Sequence, residues 1–235
     1  MKNNRFEELN IVFALIISAI TIFFPCPELS AQNPKTSDIV RFLTETIKTM
    51  PAVEMDFELI QDKSAGKNTA SSRGNVPIYK GVVQAQGSSY KLINPELELY
   101  CDGFTKWILN ISSKELVIVP NDATATDIVE NPLGFLTSLN KGYEYPFRVF
   151  SGSRNGKQIW VVDLTPVNKR LAYKSISVGV EKNSYIPRMI KYVAKDGTSY
   201  IINITRFERQ NSVRPKEYFQ FPASRLKGLE VNDMR

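Results

Sequence analysis

The chain has 235 residues, with 30 basic and 24 acidic side chains, a formal net charge of +6 at pH 7 and 43% hydrophobic residues. It contains no histidine, which excludes Ser-His-Asp and Cys-His catalysis and removes the commonest metal ligand. The basic side chains are scattered and form no nucleic-acid-binding motif. Two interpretations of the positive charge stay open, a solvated surface and a weak attraction to anionic lipid headgroups.

The first segment has the layout of a secretory leader. Ile11 to Phe24 is an apolar run that follows a polar stretch with basic residues, and a small residue, Ala31, precedes the expected cleavage point. The run is shorter than the ~20 residues of a membrane-spanning helix. We therefore predict a signal peptide over residues 1–31, export to the periplasm, and one domain over residues 32–235.

An amphipathic helix is predicted at the start of this domain. Thr36 or Ser37 is expected to cap a helix over about residues 38–49, which ends before Pro51. Apolar residues at helical spacing predict one buried stripe; they are Ile39, Phe42, Leu43, Ile47 and Met50.

The rest of the domain shows the period-2 alternation of half-buried strands, with turn signals between them. Asp102-Gly103, Asn155-Gly156 and Asp196-Gly197 are Gly-containing pairs that favour tight hairpins. A short helix is predicted from Pro132 to about residue 139, with proline in its first turn. The predicted strands cover about residues 53–61, 78–86, 89–93, 97–101, 105–110, 115–119, 147–154, 158–165, 171–181, 187–194 and 199–207.

An antiparallel sheet of about ten or eleven strands tends to curl, so it has one concave face. Only two short helices are available to cover that face. They either fill the concavity as an ordinary core or lie as a lid over a partly empty apolar cavity. Composition does not separate the two arrangements, because both bury the same residue types. Apolar residues of the tail, among them Phe219 and Phe221, predict that the chain end docks on the sheet.

Several short patterns follow one another in a fixed order over most of residues 35–235. In chain order they are the opening helix, Gly81 in a strand, Asp102-Gly103 with Trp107, Val117-Ile118-Val119, Asn131-Pro132-Leu133, Leu164-Thr165-Pro166, Asp196-Gly197, Phe219-Gln220-Phe221 and residues 230–235. Together with the leader, this order resembles the LolA family, periplasmic carriers that ferry lipoproteins to the outer membrane.

The resemblance implies a mainly β fold with some helix, a half-open antiparallel barrel covered by short helices acting as a lid. It implies a non-enzymatic, monomeric chaperone without metal or cofactor, which binds acylated lipoproteins, takes them from an inner-membrane lipoprotein-releasing ABC transporter and passes them to an outer-membrane acceptor. Where the best-known carriers have an Arg-Pro pair associated with holding the lid closed, this chain has Gln86-Gly87-Ser88. An arginine latch is therefore not assigned.

The candidate lipid-binding residues combine the inward face expected from alternation with the apolar stripes of the two helices. They are Ile39, Phe42, Leu43, Val53, Met55, Phe57, Leu59, Leu97, Leu99, Trp107, Leu109, Val117, Val119, Leu133, Phe135, Leu136, Trp160 and Val162. For each residue taken singly, core packing explains the pattern as well. Period-2 alternation also leaves open which face of each strand points inward.

The sequence leaves two alternatives to a carrier. One is an envelope-stress sensor module built on the same half-barrel, which would bind a membrane-anchored regulator. The other is a hydrolase that uses paired carboxylates, such as Glu96 with Glu98 or Asp122 with Asp127. No pattern places a nucleophile or an oxyanion site beside these carboxylates, so the sequence favours a binding protein.

Overall fold

The computed structural model describes residues 34–62, 75–122, 128–146, 148–169 and 171–235. The predicted leader, residues 63–74 between the first two predicted strands, Asp127 and the start of the strand predicted at residue 147 lie outside these ranges. Helix α1 (Thr36–Lys48) and helix α2 (Pro132–Ser138) are accompanied by two 3₁₀ turns near the chain end, Lys216–Phe219 and Ala223–Arg225. Within the described ranges, no helix is both long enough and apolar enough to cross a membrane.

Within these ranges, thirteen strands form the sheet. They are β1 (Ala52–Asp62), β2 (Asn75–Gln86), β3 (Ser89–Ile93), β4 (Leu97–Cys101), β5 (Thr105–Asn110), β6 (Glu115–Pro120), β7 (Tyr143–Glu144), β8 (Val149–Arg154), β9 (Lys157–Pro166), β10 (Tyr173–Glu181), β11 (Pro187–Ala194), β12 (Ser199–Gln210) and β13 (Glu230–Asp233).

The strand order is β13-β6-β5-β4-β3-β2-β1-β12-β11-β10-β9-β7, and β8 also pairs with β9. All pairs are antiparallel except β13 with β6. The two ends of this order do not pair with each other, so the sheet stays open. The predicted half-open barrel is confirmed. Two strands were not predicted, the two-residue β7 and the C-terminal β13.

One face of the sheet carries the main core, and both helices pack on this face. Helix α1 buries one stripe that includes Ile39, Leu43 and Ile47, and α2 buries Leu133 and Phe135. These side chains meet the inward rows of the strands, which alternate buried and less buried positions along β1 as the period-2 pattern predicts. Helix α1 also packs against α2 and β9. We call this face of the sheet the inner face.

The predicted side-chain cap of α1 is wrong. Thr36 is the first helical residue, and its hydroxyl donates a hydrogen bond of 2.9 Å to the Pro146 carbonyl, 110 residues away in the chain. The residue before it, Lys35, makes no side-chain cap. Thr36 thus ties the start of α1 to the segment that follows α2, which is a tertiary contact that capping rules do not anticipate.

The tail docks on the opposite, outer face of the sheet, as predicted. Phe221 is buried in a second apolar cluster with Tyr100 and Leu116, and the Phe221 ring meets the Tyr100 ring edge-on with centroids 5.5 Å apart. Arg225 makes a bidentate ion pair with Glu98 at 2.6 and 3.0 Å. The tail therefore buries apolar side chains that the sheet would otherwise expose to water.

Candidate functional site

A cavity of about 400 Å³ opens between the two helices and one end of the sheet. Its volume lies in the range of small-molecule binding sites. The apolar part of the wall comes from the end of α1 and its following turn, from α2, and from the inner rows of β1, β2 and β3. The apolar wall residues are Ile47, Met50, Val53, Ala85, Tyr90 and Leu133.

The entrance to this cavity is polar. The turn between β2 and β3, the chain just after β6 and the exposed side of α2 contribute amides, hydroxyls and one carboxylate. Of the lining residues, Lys48, Gly87, Ser88 and Asp122 are exposed and mark the entrance, and Gln86, Asn121, Asn131, Thr137 and Ser138 are half-buried beside them. An apolar wall under a polar entrance suits an amphipathic ligand, whose apolar part is shielded from water while its polar end stays near the opening.

Local sequence explains how α2 closes one side of the cavity. The Asn131 side chain accepts a hydrogen bond of 2.8 Å from the Gly134 N–H, which is an N-cap, and Pro132 follows at the first helical position. A Cβ at Gly134 would lie 2.3 Å from Asn131 Nδ2, so glycine permits this cap. The cap fixes the start of α2, which places Leu133 against the cavity.

The structure brings most of the predicted lipid-binding residues together in the main core. Buried there are Ile39, Leu43, Val53, Met55, Phe57, Leu59, Leu99, Leu133, Phe135, Leu136 and Val162, with Leu97 and Trp160 partly buried against them. Val117 and Val119 belong to the same inner face by register and are half-buried. Phe42 is half-buried on α1, beside the Tyr185 ring. Of the whole predicted set, only Val53 and Leu133 line the cavity.

The predicted inward position of Trp107 and Leu109 is wrong. Leu99 is an inner residue and pairs with Ile108, so Ile108 also points inward. Trp107 and Leu109, the residues next to Ile108 in β5, therefore point to the outer face. Leu109 is buried in the outer cluster under the tail, and Trp107 packs against that cluster. The inner row of β5 carries Lys106 instead, whose ammonium lies 2.8 Å from the Glu130 carboxylate. This ion pair allows a charged residue on the face that alternation would assign to apolar ones.

Sequence reasoning missed most of the cavity wall. Ile47 and Met50 lie outside the predicted lipid-binding set, but they share the predicted apolar stripe of α1. Ala85 and Tyr90 face the space because β2 and β3 pair there, with Ala85 opposite Tyr90. A small residue opposite a large one leaves room that no periodicity indicates.

Within the described ranges, no group of three His, Cys, Asp or Glu residues is placed to hold a metal ion. Cys101 is fully buried, and burial raises the pKa of its thiol, so it packs as an apolar residue and is not an activated nucleophile.

Comparison with known proteins finds no matching family model and no matching curated protein. Solved structures do match. An uncharacterized conserved protein from Thermus thermophilus is 9% identical, with 83% of this chain and 97% of that one covered and a TM-score of 0.51. A LolA superfamily protein from Nitrosomonas europaea is 11% identical, with 80% and 99% covered and a TM-score of 0.42.

The lipoprotein LppX from Mycobacterium tuberculosis is 8% identical, with 76% of this chain and 97% of that one covered and a TM-score of 0.45. Sequence identities this low establish likeness of fold alone. The likeness to the Thermus thermophilus protein therefore shows a shared fold, and function has to be argued from the site.

Proposed function

We propose that this protein is a periplasmic carrier that binds the acyl chains of lipoproteins in an apolar cavity and transfers them from the inner to the outer membrane. The observation that supports the proposal most directly is the cavity of about 400 Å³, closed by two short helices over an apolar sheet face. An acyl chain in water costs about 0.8 kcal/mol per methylene, so a soluble carrier has to offer it a dry surface.

Beneath the cavity the inner face is filled, because Leu43, Met55 and Phe135 have no exposed surface. A longer acyl chain therefore enters only if α1 and α2 move away from the sheet. The buried stripes of the two helices then contact the ligand in place of the inner face. Such an exchange conserves most of the buried apolar area, so its free-energy cost is smaller than that of exposing the same side chains to water.

The route is proposed from the sequence. The leader pattern over residues 1–31 directs the chain to the periplasm, and the ordered resemblance to LolA carriers supports an inner-membrane releasing ABC transporter as the donor and an outer-membrane protein as the acceptor. The polar entrance supports an amphipathic cargo, since the lipidated end of a lipoprotein joins acyl chains to a polar peptide.

Native mass spectrometry of the protein purified from an envelope fraction tests the proposal. We expect a co-purifying triacylated protein or diacyl lipid, or uptake of an added diacyl lipopeptide. Ala85→Trp should block this uptake, because the indole fills the cavity wall. Val82→Trp is the matched control, since Val82 lies on the same strand with its side chain exposed. A lipid-free protein that takes up no lipopeptide would refute the carrier function.

A further inference from the structure

The entrance of the cavity is bordered by an exposed apolar and cationic surface, which we call the mouth rim and which consists of Phe104, Val213, Arg214 and Lys216. Phe104 at the β4–β5 turn is 74% exposed, and Val213 in the tail is 66% exposed. Exposed apolar side chains that stand singly are common on protein surfaces. The mouth rim differs because its exposed ring lies beside cations at a cavity entrance, which makes it a candidate contact surface.

The β4–β5 turn that carries Phe104 is held rigidly beside the cavity. Asp102 accepts hydrogen bonds from the N–H groups of Phe104 and Thr105 at 3.0 and 2.9 Å. The N–H of Asn121, a cavity residue, donates to the Phe104 carbonyl at 2.7 Å. Phe104 is thus presented to solvent by a fixed turn, and its exposure does not result from a loose loop.

The tail places cations next to this ring. Lys216 Nζ lies 4.5 Å from the centre of the Phe104 ring, and the Arg214 guanidinium lies 4.4 Å from the centre of the Tyr218 ring. Gln86 fixes this part of the tail, because its side chain accepts from the Arg214 N–H at 2.7 Å and donates to the Arg214 carbonyl at 3.1 Å. Gln86 also lines the cavity, so the tail cations border its entrance.

Positive charge exceeds negative charge at this end of the molecule. Lys48 lines the cavity, and Arg209 is exposed on β12 opposite Val53, at the same end of the sheet. Among the exposed acidic side chains on the segments that carry these cations or form the entrance, Glu45 pairs with Arg41 and Glu208 pairs with Arg206; the others are Asp122 and Glu217. The buried Asp102 carboxylate lies 3.6 Å from Lys216 Nζ and accepts a hydrogen bond from Gln220.

We propose that the mouth rim docks on a bilayer of anionic phospholipid and holds the cavity entrance against the lipid surface. Aromatic rings settle at the headgroup level of a membrane, and each basic residue near an anionic surface strengthens binding about fivefold. A few cations and one ring give weak, reversible attachment, which suits a protein that has to leave the membrane again. The docking goes beyond acyl binding and does not require it.

Co-sedimentation of the protein, purified from cells that express the full chain, tests the docking. We expect binding to phosphatidylglycerol vesicles, little binding to phosphatidylcholine vesicles, and release at high salt. Phe104→Ser should weaken binding about tenfold, and Lys216→Gln about fivefold. Phe104→Trp should bind normally and show indole fluorescence quenched by brominated lipid.

Two variants serve as matched controls. Phe150 is also an exposed phenylalanine, on β8, and Lys174 is an exposed lysine near the start of β10, at the other end of the sheet from the cavity. Phe150→Ser and Lys174→Gln should bind vesicles like the unchanged protein. Equal binding to both lipids, unchanged binding of Phe104→Ser, or no binding to phosphatidylglycerol overturns the proposal. The last result would leave an acidic protein as the partner of the rim.

Uptake of a monomeric lipopeptide in solution distinguishes failure of the docking from failure of the carrier function. Phe104→Ser should keep this uptake, because Phe104 is not part of the cavity wall. A protein that binds lipopeptide but no vesicles refutes the docking alone, and one that binds vesicles but no lipopeptide refutes the carrier function alone.

Discussion

An aromatic contact between α1 and the β10–β11 turn offers a test of how α1 is held over the cavity. Phe42 on α1 packs on Tyr185 in the β10–β11 turn, with ring centroids 4.8 Å apart and planes at 38°. The Arg41 guanidinium covers the Phe42 ring at 4.2 Å. Tyr185 has a φ of +54°, a left-handed conformation that costs a residue with a side chain roughly 1–2 kcal/mol. This strained conformation places the Tyr185 ring against α1.

We expect Tyr185→Ala to lower the free energy of unfolding by about 2 kcal/mol. The aromatic pair contributes roughly 1 kcal/mol beyond area burial, and a half-buried side chain contributes about 1 kcal/mol more. Tyr185→Gly loses the same contact but relieves the backbone strain, so its loss is smaller by about 1 kcal/mol. Urea denaturation measures both values.

Hydrogen exchange separates the contact from the strain. When α1 opens locally, the β10–β11 turn stays folded, so relief of the strain at residue 185 does not affect the opening equilibrium. The α1 amides should then exchange about ten- to thirtyfold faster in both variants, by the same factor. Wild-type exchange of α1 in Tyr185→Ala would refute the role of this contact. A glycine variant less stable than the alanine variant would refute the strain.

Three further changes test the sheet and the tail. Gly81→Ala should cost about 2 kcal/mol in thermal denaturation, because a Cβ there would lie 2.6 Å from the buried Phe57 ring; unchanged stability would contradict that fit. Lys114→Gly should raise the free energy of unfolding by about 1 kcal/mol, because Lys114 has a φ of +57°, which strains a residue with a side chain. A less stable Lys114→Gly variant would contradict this strain. The hydrogen bonds from Arg225 hold the pKa of Glu98 below its ordinary 4.5, so Glu98→Gln should cost roughly 1 kcal/mol in urea denaturation at pH 7. The difference in free energy of unfolding between the unchanged protein and Glu98→Gln should shrink as the pH falls below 4.5 and through the lower folded-state pKa of Glu98. A difference that persists in acid would contradict the ion pair.

The sequence alone determined most of the helices and strands of this protein. Period-2 runs and Gly-containing turns place β3 to β5, β11 and α2 to within a residue, because alternation, positive φ and proline act over a few neighbours in the chain. Asn155 and Gly156, for example, both adopt the positive φ that a two-residue hairpin needs. β13 was not predicted, because it forms by pairing with β6, a segment more than 100 residues away in the chain.

Only the tertiary structure decided which face of each strand is inner. In β5 the local pattern offers Trp107 and Leu109 as the apolar face, but the register with β4 points them outward, where the tail covers them. Alternation specifies two faces without saying which is inner, because both can be buried when another segment of the chain packs on the second.

The cavity was likewise decided by tertiary structure. Val53 and Leu133 belong to predicted apolar faces, yet the space between them exists because α1 ends before it fills the sheet and because a small residue, Ala85, stands opposite Tyr90. Periodicity reports which side chains avoid water and not how completely they fill the volume between them. Empty space depends on the packing of residues distant in the chain, so only the folded structure shows it.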